Sequence, residues 1–137
     1  NLDQIASLSQ RGKVLSILDL VAANTLTPEM AAYCFYLMSQ GASALTAAMP
    51  QNSGKTTLLG CLLTGIPRDS RIKMILSAAS LADIDTASET PQTLLVHEIS
   101  PAPIPGYLWG KDITRIFDLI QLSLYNRIIC AFNFLCI

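Results

Sequence analysis

The chain has 137 residues, 51% of them apolar and 14% charged, with a net charge near −1. That composition excludes a disordered tail and supports a real core in one folded unit. No basic run offers nucleic acid an electrostatic footing, and no apolar stretch reaches the ~18–20 residues that a membrane span needs.

The opening residues, NLDQIASLSQRGK, lack the charged start and apolar block of a secretory leader. Residues 14–23, VLSILDLVAA, place Val14, Ile17, Leu18 and Val21 at helical spacing, with Gly12 before them and Asn24 to end them. Thr27-Pro28-Glu29 then supplies an N-cap, a proline suited to the first helical position, and an acid at the positive end of the dipole. The helix so begun runs through MAAYCFYLMSQ to Gly41, a natural stop, so residues 1–41 read as a helical N-terminal segment.

The texture changes at Ser43. ALTAAM (44–49) is short, apolar and small, as a buried strand requires, and MPQNSG is a turn. KTTLLGCLLTG (55–65) predicts a helix with Leu58, Leu59, Leu62 and Leu63 on one side, stopped by Pro67. IKMILS (72–77) predicts a second strand. SLADIDTASETPQ (80–92) is a polar loop with room for one helical turn, and TLLVHEI (93–99) is a third strand. PAPIPG (101–106) predicts an extended linker, because its three prolines disfavour helix. Lys111 to Leu124 carries Ile113, Ile116, Phe117, Ile120 and Leu124 on one helical face, and RIICAFNF (127–134) predicts a fourth strand. Strands alternating with helices define an α/β fold with a mostly parallel sheet, here over residues 42–137. The chain lacks an initial Met and ends inside an apolar run, so a fragment of a longer protein is expected, with that run exposed.

Four cysteines, Cys34, Cys61, Cys130 and Cys136, form no C-x-x-C pair and no metal-ligand spacing with histidine. Buried free thiols in a reducing compartment are expected.

Met49-Pro-Gln-Asn-Ser-Gly-Lys-Thr-Thr57 carries the chemistry. A phosphate loop reads G-x-x-x-x-G-K-[ST], and Gly54-Lys55-Thr56 supplies its second half between a strand and a helix. Amides at the helix start face an anion, and the helix dipole favours negative charge there. Gly54 lets the backbone approach phosphate, Lys55 is placed for the β- and γ-phosphates, the Thr56 hydroxyl suits Mg²⁺, and Thr57 comes next for the α-phosphate. Met49 stands where the motif has its first glycine, and Pro50 shapes that turn differently. The alternative is an ordinary strand–turn–helix with Lys55 solvated.

The stretch LTPEMAAYCFYLMSQGASALTAAMPQNSGKTTLLGCLLTGIPRDSRI resembles the core of the secretion ATPases, the hexameric RecA-like motors of type II and type IV secretion and of pilus assembly. The likeness covers residues 26–73 well and is looser from 92 onward. It implies ATP and Mg²⁺ as ligands, ATP hydrolysis, a homo-oligomeric ring, and a cytoplasmic protein at the periphery of a membrane secretion complex. It implies a phosphate loop of Gln51, Asn52, Ser53, Gly54, Lys55, Thr56 and Thr57. Glu98 takes the place of the carboxylate that holds Mg²⁺ or orients the attacking water; a solvated strand end is the other reading. Two departures stand out. The family's acidic pair after the second strand is Leu76-Ser77 here, with Asp83 and Asp85 nearby in a loop read as solvated, and no histidine occurs near 127–137. A nucleotide-binding module without turnover is the alternative function.

His97 and Glu98, as strand neighbours, are expected on opposite faces, with His97 a hydrogen-bonded strand-end residue. Arg68, Arg71, Arg115 and Arg127 are arginine-finger candidates, each read as a surface residue; Arg115 and Asp118 are spaced to pair. Tyr107 and Trp109 are placed to anchor the proline linker, or to stack on adenine or a partner.

Overall fold

Helix starts and stops follow the local chemistry of their flanks. The structure is a computed structural model that describes residues 15–49, 53–84, 92–102, 104–122 and 127–133. Helix α1 (Ile17–Ala22) opens on a capping box: the Ser16 hydroxyl accepts from the Asp19 amide, and the Asp19 carboxylate accepts from the Ser16 amide at 2.8 Å. Asn24, at φ 54°, turns the chain out of it. Helix α2 (Pro28–Ser39) has Thr27 as N-cap, its hydroxyl accepting from the Met30 amide, and Gly41 at φ 86° follows its end.

The chain continues as β1 (Ala44–Ala48), α3 (Lys55–Leu63), β2 (Arg71–Ile75), α4 (Ala78–Ala82), β3 (Gln92–Ile99), α5 (Lys111–Gln121) and β4 (Arg127–Asn133). All strand pairs are parallel, in the order β1-β4-β3-β2. The fold is therefore α/β, an all-parallel four-stranded sheet flanked by helices, and at that coarse level it is consistent with a RecA-like fold.

This order has a consequence for the faces. The chain crosses the whole sheet from β1 to β2 and then steps back through β3 to β4. Right-handed crossovers put the outgoing helix on one face and the returning helices on the other. The packing agrees. On the face of α3, Leu59, Leu62 and Leu63 meet Leu95, Ile129 and Ala131, with Met38 of α2. On the opposite face, Leu81 of α4 and Ile116 and Leu119 of α5 meet Ile75, Leu94, Val96, Ile128 and Cys130. Leu20, Leu26 and Cys61 form a third cluster, so α1 and α2 lie outside α3. Helix α3 is consequently buried from Leu59 through Leu63, apolar on nearly every side as a sandwiched helix must be.

Several expectations change. The second strand ends at Ile75 rather than Ser77, because Ser77 caps α4: its hydroxyl and that of Ser80 form a capping box across a stretch read as loop. Helix α5 buries Ile116 and Leu119, whereas Phe117 is 58% exposed. The proline segment folds back instead of extending: Ile104 bonds to Ala102, Tyr107 to Ile104, and Leu108 pairs alongside Ile99. Gly106, at φ 93°, makes this return possible, with the Leu76 carbonyl 3.2 Å from where a Cβ would sit. Arg127 is a core residue, 4% exposed, and no surface finger. Its guanidinium donates to the Thr93 hydroxyl at 2.8 Å, to the Met38 carbonyl in the last turn of α2, and to the Ser70 hydroxyl. The C-terminal dipole of α2 favours that cation. Arg68, Arg71 and Arg115 are exposed, as read.

Cys61 and Cys130 are buried free thiols and Cys34 is half-buried. Burial pushes the Cys130 thiol up to about 11. Cys136, Gly12, Val14, Pro50, Asp85, Leu124 and Phe134, each used in the expectations above, lie outside the described residues. No helix among the described residues is long and apolar enough to cross a membrane.

Candidate functional site at the carboxyl edge of the sheet

In a parallel sheet the helices that follow the strands begin at the carboxyl edge, where their amide ends gather. Helix α3 starts there after β1. Its N-cap is Gly54, at φ 86° and ψ 8°, and no side chain caps it. A left-handed residue is needed at that position, and nothing lies within 4 Å of where a Cβ would be. Glycine is there for its backbone, and it leaves the helix start open.

Lys55 and Thr56 occupy the first turn of α3 half-buried, while Ser53, Gly54 and Thr57 are exposed. Gln51 and Asn52 lie outside the described residues. Met49, in place of the motif's first glycine, is 60% exposed beyond the end of β1.

Glu98 comes to the same edge from β3. It is 8% exposed, and its Oε1 is buried without a hydrogen-bond partner. Burial raises its carboxyl above the ordinary range, while the charges of Lys55 and His97 pull the other way. Lys55 is thus close enough to act on Glu98, although one residue stands on α3 and the other two strands away. A buried carboxylate oxygen with no protein partner is costly, about 1–3 kcal/mol, unless water, an ion or a ligand supplies the missing contact.

How Glu98 faces this way is a matter of register. Val96 pairs with Cys130 but Ile99 with Phe132, so β3 spends three steps where β4 spends two. That is a β-bulge at His97 and Glu98, which sets the two residues against the single Ala131. Ala131 belongs to the α3 face. Strict alternation from Leu94 and Val96 would have turned Glu98 into the apolar α5 face. At this irregularity simple alternation no longer assigns His97 and Glu98 their faces, and the His97 charge is felt by Glu98.

The loop after β3 is tied to this bulge. The Leu108 amide donates to the Glu98 carbonyl at 3.3 Å, and the Ser100 amide donates to the Leu108 carbonyl at 3.2 Å. Leu108 is fully buried, and the next residue, Trp109, reaches across to Phe132 at the end of β4, with ring centroids 6.0 Å apart and planes inclined by 52°. Trp109 therefore anchors the loop, as one of its two expected roles required. Asp83 is the exposed C-cap of α4 and is not among the charges acting on Glu98. Ser77, where the resembling family carries an acid, spends its hydroxyl on capping α4. No cluster of three or more metal-ligating side chains exists among the described residues.

Among the described residues, the carboxyl edge thus brings together the uncapped start of α3, Lys55 and the buried carboxyl of Glu98. Compared with known proteins, the chain matches no family profile, no curated protein and no solved structure. The motif pointed to Lys55, and the resemblance to Glu98, separately. It missed the bulge, whose only trace is that His97-Glu98 interrupts the apolar run of β3.

Proposed function

We propose that this edge binds ATP with Mg²⁺ and hydrolyses it, as in the motor domain of a secretion or pilus-assembly ATPase. The observation that carries the reading is the unpartnered, buried oxygen of Glu98 within electrostatic reach of Lys55 at the uncapped start of α3. The amides after Gly54 hold phosphate oxygens and Lys55 neutralises the β- and γ-phosphates. The Thr56 hydroxyl and Glu98 are the residues suited to hold Mg²⁺, which would neutralise charge developing on the phosphates. Where Glu98 does not serve the metal, it orients the attacking water and accepts its proton as the γ-phosphoryl group passes from ADP to that water. Ring assembly, a cytoplasmic site of action and contact with a membrane secretion complex belong to the same proposal.

Two observations favour a second reading, binding without significant turnover: Met49 replaces the loop glycine, and Ser77 stands where an acid would assist the metal. Calorimetry with Mg-ATP on the chain and on Lys55→Ala tests the site. Micromolar binding lost in the variant supports it, and no binding by a folded chain overturns it. Glu98→Gln separates the two readings. An ATPase loses turnover and keeps binding, whereas a pure binding module has no turnover to lose.

A further inference from the structure

Of the two edges of the sheet, one is defended and one is not. β2 carries Arg71 and Lys73, and charge along an edge discourages a further strand from joining it. β1, at the other end of the order, pairs with β4 alone among the described residues. Its five residues, ALTAA, include no charge and no proline, and its register with β4 is unbroken from Ala44 to Ala48. None of the usual devices that turn a strand away is present in it, and the outward N–H and C=O groups of its backbone are left to solvent.

The side chains of β1 fit the same picture. The pairing with β4 sets Ala44 and Thr46 level with Ile129 and Ala131 on the α3 face, and Leu45 and Ala47 level with Cys130 and Phe132 on the α5 face. Thr46 is buried beneath α3. The core under α4 and α5 draws on β2, β3 and β4 but takes in no residue of β1. Leu45 is accordingly 60% exposed, and Ala47 is exposed beside it.

We propose that β1 is the docking edge for a second copy of this chain, the two β1 strands pairing antiparallel about a two-fold axis at Thr46 so that two four-stranded sheets join into one. A two-fold axis makes the paired strands antiparallel and each contact reciprocal. About this axis Leu45 falls opposite Ala47 of the second copy, Ala44 opposite Ala48, and Thr46 opposite itself. Large meets small, and no charge meets its own copy. The same operation on β2 would set Lys73 against Lys73, which like-charge repulsion opposes. Each copy spends its one undefended edge, so the assembly closes as a dimer. The carboxyl edges of the two sheets then point opposite ways, both Gly54 loops stay open, and the inference stands apart from the nucleotide reading.

Sedimentation velocity on the full chain over about a hundred-fold range of concentration, with hydrogen exchange of residues 44–48 at both ends of that range, tests the pairing. A monomer–dimer equilibrium is expected, with slower exchange in β1 where the dimer prevails. Leu45→Lys places two ammonium groups beside the axis and should raise the dissociation constant at least about ten-fold. The monomer tolerates that change because Leu45 already meets water, as circular dichroism would verify. Ala47→Lys, at the other exposed position of the strand, repeats the test independently. Leu18→Lys, at an equally exposed leucine on α1, should dimerise as the wild type does. A chain that stays monomeric, one that grows beyond a dimer, or a dimer that survives both β1 variants overturns the proposal. So does a dimer lost in Leu18→Lys, or one in which exchange of residues 44–48 is unchanged.

Discussion

Replacing Glu98 by glutamine should make the protein more stable. The side chain is 8% exposed, and burial disfavours its charged form, a cost that a neutral amide of the same shape avoids. The charge of Lys55 offsets part of that cost, so the gain at neutral pH should be modest, about 1 kcal/mol. For a chain of this length that is an increase in Tm of roughly 3–5 °C. The pH dependence follows from the raised carboxyl. The folded state binds the Glu98 proton more tightly than the unfolded chain does. The stability linked to it is therefore fully present below the ordinary value of the unfolded carboxyl and is lost as pH rises through the raised folded one. Wild type and Glu98→Gln should melt together in acid and diverge towards pH 7, with the variant higher. Thermal melts followed by circular dichroism from pH 4 to 8 measure this directly. A variant that melts below wild type at pH 7 would show that Glu98 is a satisfied structural group, and the argument for a functional carboxylate would collapse.

Arg127→Lys should cost about 2 kcal/mol, since one ammonium cannot span Thr93, Met38 and Ser70 as the guanidinium fork does; urea unfolding reads the loss, and an unchanged midpoint would contradict it. Gly54→Ala should cost about 1–2 kcal/mol from its positive φ alone, because its Cβ meets nothing, whereas Gly106→Ala should cost more, its Cβ also pressing on the Leu76 carbonyl. Equal melting temperatures for the two would be the wrong result. Cys130, buried with its thiol near 11, should resist a water-soluble disulfide reagent until the chain unfolds, as should buried Cys61; peptide mapping after a short native pulse would reveal any earlier labelling.

Much of this architecture is legible in local chemistry. Thr27-Pro28 starts α2, Gly41 stops it, and Gly54-Lys55-Thr56 opens α3, because caps, prolines and left-handed glycines act within a few residues of themselves. Alternating strands and helices were enough to expect a parallel α/β sheet, which the fold has. Other features depended on partners distant in sequence. That β4 lies between β1 and β3 is a matter of which strands pair, to which local propensity is blind. Glu98 faces α3 because β3 carries one residue more than β4 at that point, and only the pairing of the two strands defines such a bulge. Arg127 is buried because Met38, 89 residues earlier, ends a helix there with a carbonyl to offer. The sequence by itself outlined most of the elements and, through its motif and its resemblance, named Lys55 and Glu98 as the residues to watch. Tertiary structure decided that the two come to one edge of the sheet, since strand order and register settle where each of them lies.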